Sequence, residues 1–138
     1  MTFTVRDLIT DNIHKAVDQA RLDWKLSASE TPEISLEHPS DPKHGDFATS
    51  LPLKLARITL MNPMVIAKHL VELIPPSTVI DHIWEAPPGF INFQYKDAWL
   101  QTQVNEICSL GDHYGFVQIG QGEKIMVEFV SVNPTGPV

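Results

Sequence analysis

Apolar residues at Val5, Leu8, Ile9, Ile13, Ala16, Val17, Ala20 and Trp24 recur with the spacing of one helix face, and Thr4 stands where an N-cap belongs. The opposite face interleaves Arg6, Lys15, Arg21 and Lys25 with Asp7, Asp11, Asp18 and Asp23. Alternating signs describe a solvated face better than a phosphate track. After the polar break Ser27–Pro32, Glu33–Glu37 alternates with period two, which predicts a half-buried strand with Ile34 and Leu36 inward. His38–Asp46, with two prolines and a glycine, reads as a loop.

Gly45-Asp46 reads as a loop end and a helix N-cap, with Phe47, Ala48, Leu51, Leu55, Ala56 and Ile58 as the next core stripe. Pro52 interrupts that stripe. Either the helix kinks there, or Asp46–Ser50 forms a separate turn and the helix begins near Leu51. Asn62-Pro63 restarts a helix as N-cap and first residue, with a wide apolar face from Met64 to Ile74 that Pro75-Pro76 ends. Val79–Ala86 and Phe90–Tyr95 read as strands joined at Pro87-Pro88-Gly89, where Pro-Gly suits a type II turn. Asp97 reads as the cap of a last helix with the stripe Leu100, Val104, Ile107, Cys108 and Leu110, closed by Gly111. These elements predict an α+β fold: a small, mainly antiparallel sheet packed with about four helices on one face.

The remainder has a different character. Asp112–Glu123 is Gly-rich and linker-like. Ile125, Val127, Phe129 and Val130 then make a continuous apolar run that suits a strand buried on both faces, and Pro134, Gly136 and Pro137 turn the chain out of it. The expected organisation is therefore a domain over 1–111, a linker over 112–123, and over 124–138 the first strand and loop of a second, Rossmann-like domain. Deprived of a sheet, Lys124–Ser131 would pair with an edge of the first domain or with a second copy of the chain.

Composition narrows the function. The 138 residues are 43% hydrophobic, a globular composition, and the net charge is −7. An acidic chain is a poor stand-alone RNA clamp, because cationic contacts to phosphate normally supply most of the affinity. Cys108 is the only cysteine and sits in an apolar stripe, so the expectation is a buried, inert thiol in a reducing cytoplasm. No apolar run approaches a membrane span, and Met1–Arg6 lacks a signal-peptide pattern. His38, Asp41, His44 and Asp46 are ligand types, but their spacing matches no metal pattern and a turn with a cap explains them; no metal is expected.

Most of the candidate chemistry lies in the strand Phe90–Tyr95. Alternation puts Ile91, Phe93 and Tyr95 on the core face and Phe90, Asn92 and Gln94 on the other. A ring flanked by two amides suits stacking on an unpaired base and hydrogen bonding along its edge. Equally, Phe90 could simply pack against the Pro87-Pro88 turn of an edge strand.

Three stretches, GDFATSLPLKLAR at Gly45–Arg57, PPGFINF at Pro87–Phe93 and VEFVSVNPTGP at Val127–Pro137, together resemble the arginyl-tRNA synthetases of class I. The first two resemble marks of that family's N-terminal additional domain. The third resembles the segment leading into its His-x-Gly-His ATP signature, of which Pro134, Thr135, Gly136 and Pro137 would be the approach. The resemblance implies that Phe90, Asn92 and Gln94 contact the D-loop of tRNA(Arg), and that Glu128, Ser131 and Asn133 contact arginine. It implies a cytoplasmic, monomeric parent enzyme that forms arginyl-adenylate from ATP (with Mg) and transfers the arginyl group to tRNA. No catalytic residue falls within the chain, which alone is expected to bind no cofactor and to be inactive. A stand-alone single-stranded RNA or protein-interaction module without catalysis is the alternative.

Overall fold

The computed structural model describes residues 4–24, 26, 30–116, 120 and 122–128. Helix α1 runs over Val5–Trp24. Thr4 caps it in both directions: its hydroxyl accepts from the Asp7 amide at 3.2 Å, and Asp7 Oδ2 accepts from the Thr4 amide at 2.9 Å. The Thr4 hydroxyl also donates to Asp7 Oδ2 at 2.7 Å, and this bond, with the one from the Thr4 amide, holds the Asp7 carboxyl below its ordinary pKa. Ile9, Ile13, Ala16, Val17 and Ala20 are buried along the expected stripe, and Asn12 is buried with them. On the outer face Lys15 pairs with Asp11 at 2.6 Å and Arg21 with Asp18 at 3.0 Å, as a solvated face requires.

Two expectations fail next, for one reason. Glu33–Glu37 is not a strand: it touches a sheet only through an isolated bridge between Glu37 and Ala48, although Leu36 is buried. Phe47–Thr49, expected to be part of a helix or turn, is strand β1. The third place in the sheet goes to the segment whose alternate residues, Phe47 and Thr49, are both buried; Ile34 and Leu36 add their apolar side chains from an extended flank. Asp46 accordingly caps no helix.

Helix α2 begins at Leu51 and runs to Thr59. Pro52 lies in its first turn, where a backbone N–H has no intrahelical partner, so the proline delays the helix and does not kink it. Ile58, placed on the core stripe by its spacing, is 51% exposed. Helix α3 spans Pro63–Leu73, with Asn62 Oδ1 accepting from the Met64 amide at 2.8 Å. Strands β2, Ile80–Ala86, and β3, Phe90–Tyr95, form the expected hairpin. Its turn differs in type: the Pro87–Pro88 bond is cis, the Gly89 amide donates to the Ala86 carbonyl at 3.0 Å, and Gly89 has φ 153°. A cis proline at the third position makes it a type VI turn in place of the expected type II.

The sheet order is β1-β3-β2, antiparallel throughout, so β3 is central. Helices α2 and α3 cover one face and α1 packs on α3. Phe93 and Ile91, on the covered face, are almost wholly buried. Emptying the Phe93 site would cost about 3–5 kcal/mol.

Helix α4, Asp97–Leu110, begins with Asp97 in its first turn and Lys96 at the cap position, and ends at Gly111. Its apolar stripe is not core. Leu100, Val104, Ile107 and Leu110 are 40–58% exposed and Cys108 is exposed. The spacing located a face correctly, but α1, α2 and α3 already close the core without it. Lys124–Glu128 is likewise not a strand; Ile125, Met126 and Val127 are exposed, since none of the described elements offers that segment a ladder. Phe129, Val130, Ser131 and 132–138 lie outside the described residues.

The exposed helix predicts that Cys108 reacts completely with a thiol reagent in the native chain, as fast as in denaturant to within a few-fold. A thiol that reacts only after unfolding would restore α4 to the core.

Candidate functional site

Facing away from the helices, the sheet presents Ala48 from β1, Phe90, Asn92 and Gln94 from β3, and His82, Trp84 and Ala86 from β2. Cross-strand pairing fixes this set: Ala48 and Trp84 both stand opposite Asn92, His82 opposite Gln94, and Ala86 opposite Phe90. The segment from Glu37 to His44 arches over the β1 side of this face and borders a half-open cavity of about 430 Å³. That volume lies within the ~300–1,000 Å³ typical of small-ligand sites. Glu37, His38, Asp41 and His44 line it together with Pro87, Phe90 and Asn92.

Asp46 fastens the arch. Its amide donates to the Phe93 carbonyl at 2.8 Å and its Oδ2 accepts from the Tyr95 amide at 2.8 Å. Its carbonyl accepts from His38 Nδ1 at 2.8 Å, so Nδ1 carries the hydrogen and Nε2 is left free. The His38 ring also rests on Phe47, with centroids 4.2 Å apart. Gly45 makes the approach possible. It has φ +79°, and a Cβ there would stand 2.5 Å from the Phe93 carbonyl oxygen and 2.8 Å from the Trp84 ring. Burial, and then the Asp46 carboxylate, push the Tyr95 phenol above its ordinary pKa, with Arg6 acting in the opposite direction.

The arch also corrects the expectation of an open face. Asn92 is 1% exposed, and its Nδ2 is a buried donor with no hydrogen-bond partner. Phe90 is half-buried beside it, whereas Gln94 is exposed and lies in a separate depression with Lys43 and Trp84. Of the residues expected to meet arginine, Glu128 is exposed and belongs to no regular element, and Ser131 and Asn133, like Pro134–Pro137, lie outside the described residues. Trp84, Ala48 and the Glu37–His44 arch were not foreseen as part of the site. Counting back from the Pro87-Pro88-Gly89 turn would have set Trp84 opposite Asn92; nothing local marks the arch. Among the described residues no group of three or more His, Cys, Asp or Glu is placed to hold a metal, and no helix is long and apolar enough to cross a membrane.

An antiparallel sheet with helices on one face and a polar-floored cavity on the other defines a small α+β domain. Residues 4–95 match the family model described as the arginyl tRNA synthetase N terminal domain, and the chain belongs to that family. It is 39% identical over 134 residues to an arginine–tRNA ligase of Dehalococcoides mccartyi, covering 97% of this chain and 24% of that protein. To the arginine–tRNA ligase of Coxiella burnetii it is 38% identical over 135 residues, covering 98% and 23%. The chain thus spans about a quarter of the length of these curated relatives. The arginyl-tRNA synthetase structure of Thermus thermophilus shares the fold with a TM-score of 0.60 at 18% identity, over 72% of this chain and 15% of that one. The Plasmodium falciparum arginyl-tRNA synthetase gives 0.59 at 15%, over 75% and 18%.

If Gly45 is what lets the arch lie on the sheet, Gly45→Ala should lower unfolding free energy by more than Gly115→Ala. Gly115 has a similar φ of +84° but no atom within 4 Å of a Cβ, so its variant isolates the conformational cost, about 1–2 kcal/mol. Denaturant unfolding of the two variants makes the comparison; equal losses would contradict the close contact.

Proposed function

We propose that the chain is the tRNA-reading part of an arginine–tRNA ligase, and that the cavity over Asn92 receives a single unpaired base of the tRNA D-loop. The observation that carries this reading is the orphaned Asn92 Nδ2, buried in the sheet face where the cavity is lined. A buried donor without an acceptor costs about 1–3 kcal/mol. A carbonyl oxygen or ring nitrogen on a base edge supplies the missing acceptor, while Phe90 offers a ring for stacking. Glu37 and Asp41 line the cavity and no lysine or arginine does, so the cavity suits a base and repels a phosphate.

In this reading the rest of the ligase activates arginine with Mg-ATP and transfers it to tRNA(Arg) in the cytoplasm. Glu128, Ser131 and Asn133 are assigned to arginine, and Pro134–Pro137 to the approach to the ATP signature, on the family resemblance. An acidic chain of net charge −7 reads a base but leaves most of the phosphate grip to other parts of the enzyme.

The test is Asn92→Ala in the ligase that carries this chain, charging tRNA(Arg) and a tRNA with the D-loop base replaced, at one fixed salt concentration. The ratio of charging efficiencies should fall by the equivalent of about 1–3 kcal/mol. The melting temperature should stay level or rise, because the substitution removes an unsatisfied donor. An unchanged ratio in a folded variant sinks the base-reading role, and a large drop in melting temperature returns Asn92 to a structural one.

A further inference from the structure

Beside the Asn92 cavity, on the same sheet face, lies a second depression of about 600 Å³, lined by Pro42, Lys43, His82, Ile83, Trp84 and Gln94. Its charge is the reverse of its neighbour's. The Asn92 cavity is lined by Glu37 and Asp41 and no lysine or arginine; the depression is lined by Lys43 and no carboxylate. The Lys43 side chain is exposed, and among the described residues its ammonium makes no ion pair or hydrogen bond. Asp81, the acid next to this wall in sequence, is engaged by His82 Nε2 at 3.1 Å.

The two depressions are one residue pair apart. Trp84 stands opposite Asn92 and His82 opposite Gln94, so the indole lies where the two sites meet. Asn92 and Gln94 are separated by about 6.8 Å along the strand, on the same face. One splayed-out nucleotide covers that step. A strand that drops one base onto Asn92 therefore carries its neighbour over Trp84 and Gln94, and the phosphate between them past Lys43.

The geometry points to a second nucleotide subsite, in which Lys43 pairs with the phosphate and Trp84 stacks on the base of the ribonucleotide flanking the one read by Asn92. This rests on the base-reading function of the first cavity. Gln94, exposed at the rim, meets the edge of the flanking base and not that of the base in the cavity. The division follows from chemistry: the acidic pocket takes the uncharged base, and the cationic depression takes the charged link to the next nucleotide.

The experiment titrates the 138-residue chain with tRNA(Arg), and with the tRNA whose D-loop base is replaced, across a salt series. Lys43→Ala should weaken binding severalfold for both RNAs and flatten the slope of log affinity against log salt by about 0.7–0.9. Asn92→Ala should leave that slope intact and lose discrimination between the RNAs. In a chain with Trp24→Phe and Trp99→Phe, bound RNA should quench the emission of Trp84, and adding Trp84→Phe should abolish the signal. An unchanged slope with Lys43→Ala, or an unquenched Trp84 at saturation, overturns the second subsite while an Asn92-dependent discrimination leaves the first reading standing. Slope loss and quenching without discrimination support the second subsite and sink the base reading alone. No binding by the parent chain even at the lowest salt, where a phosphate contact is strongest, overturns the second subsite.

Discussion

The clasp at Asp46 is the contact on which the candidate site depends. One residue ties the arch to the central strand through its own amide and its carboxylate, and ties His38 to the same point through its carbonyl. Gly45 lets the backbone come close enough for those bonds to form. Without the clasp, the outer face of the sheet would be an open surface and the Asn92 amide would be hydrated. With it, a donor is withdrawn from water and left waiting for a partner. Among the described residues that donor is the one fully buried side-chain polar atom without a partner, whereas the buried Thr49 hydroxyl accepts from the Leu51 amide at 3.3 Å.

The sequence made most of the helical layer legible, because periodicity and capping residues act locally. Thr4, Asn62-Pro63 and Gly111 stand at helix ends in the structure, and the Pro87-Pro88-Gly89 turn joins the hairpin. The sheet edge was not legible. Glu33–Glu37 alternates better than Phe47–Thr49, yet the shorter segment pairs with β3, since strand membership depends on a distant partner. For the same reason alternation put Asn92 on the correct side of β3 but could not show that a loop some fifty residues earlier in the chain covers it. Helix α4 teaches the complementary lesson. Periodicity identified its apolar face and could not say whether anything covers that face.

In the proposed function, acidity and RNA recognition are compatible because two tasks are separated. The proposed base site is lined by carboxylates, which repel phosphate, and Lys43 lines the proposed neighbouring subsite. Such a domain contributes discrimination more than affinity. The remaining affinity is then left to the other three quarters of an enzyme of the relatives' length.

The most direct test of the central claim is the Asn92 side-chain amide itself, observed by ¹⁵N–¹H NMR and identified by its loss in Asn92→Ala. Free, its Nδ2 protons should lack the downfield shift of a hydrogen-bonded amide. Addition of tRNA(Arg) should move that resonance strongly, and tRNA(Arg) made abasic at the D-loop position should not. A resonance that stays in place at saturation, or that moves equally with the abasic RNA, would contradict a base acceptor at the floor of the cavity.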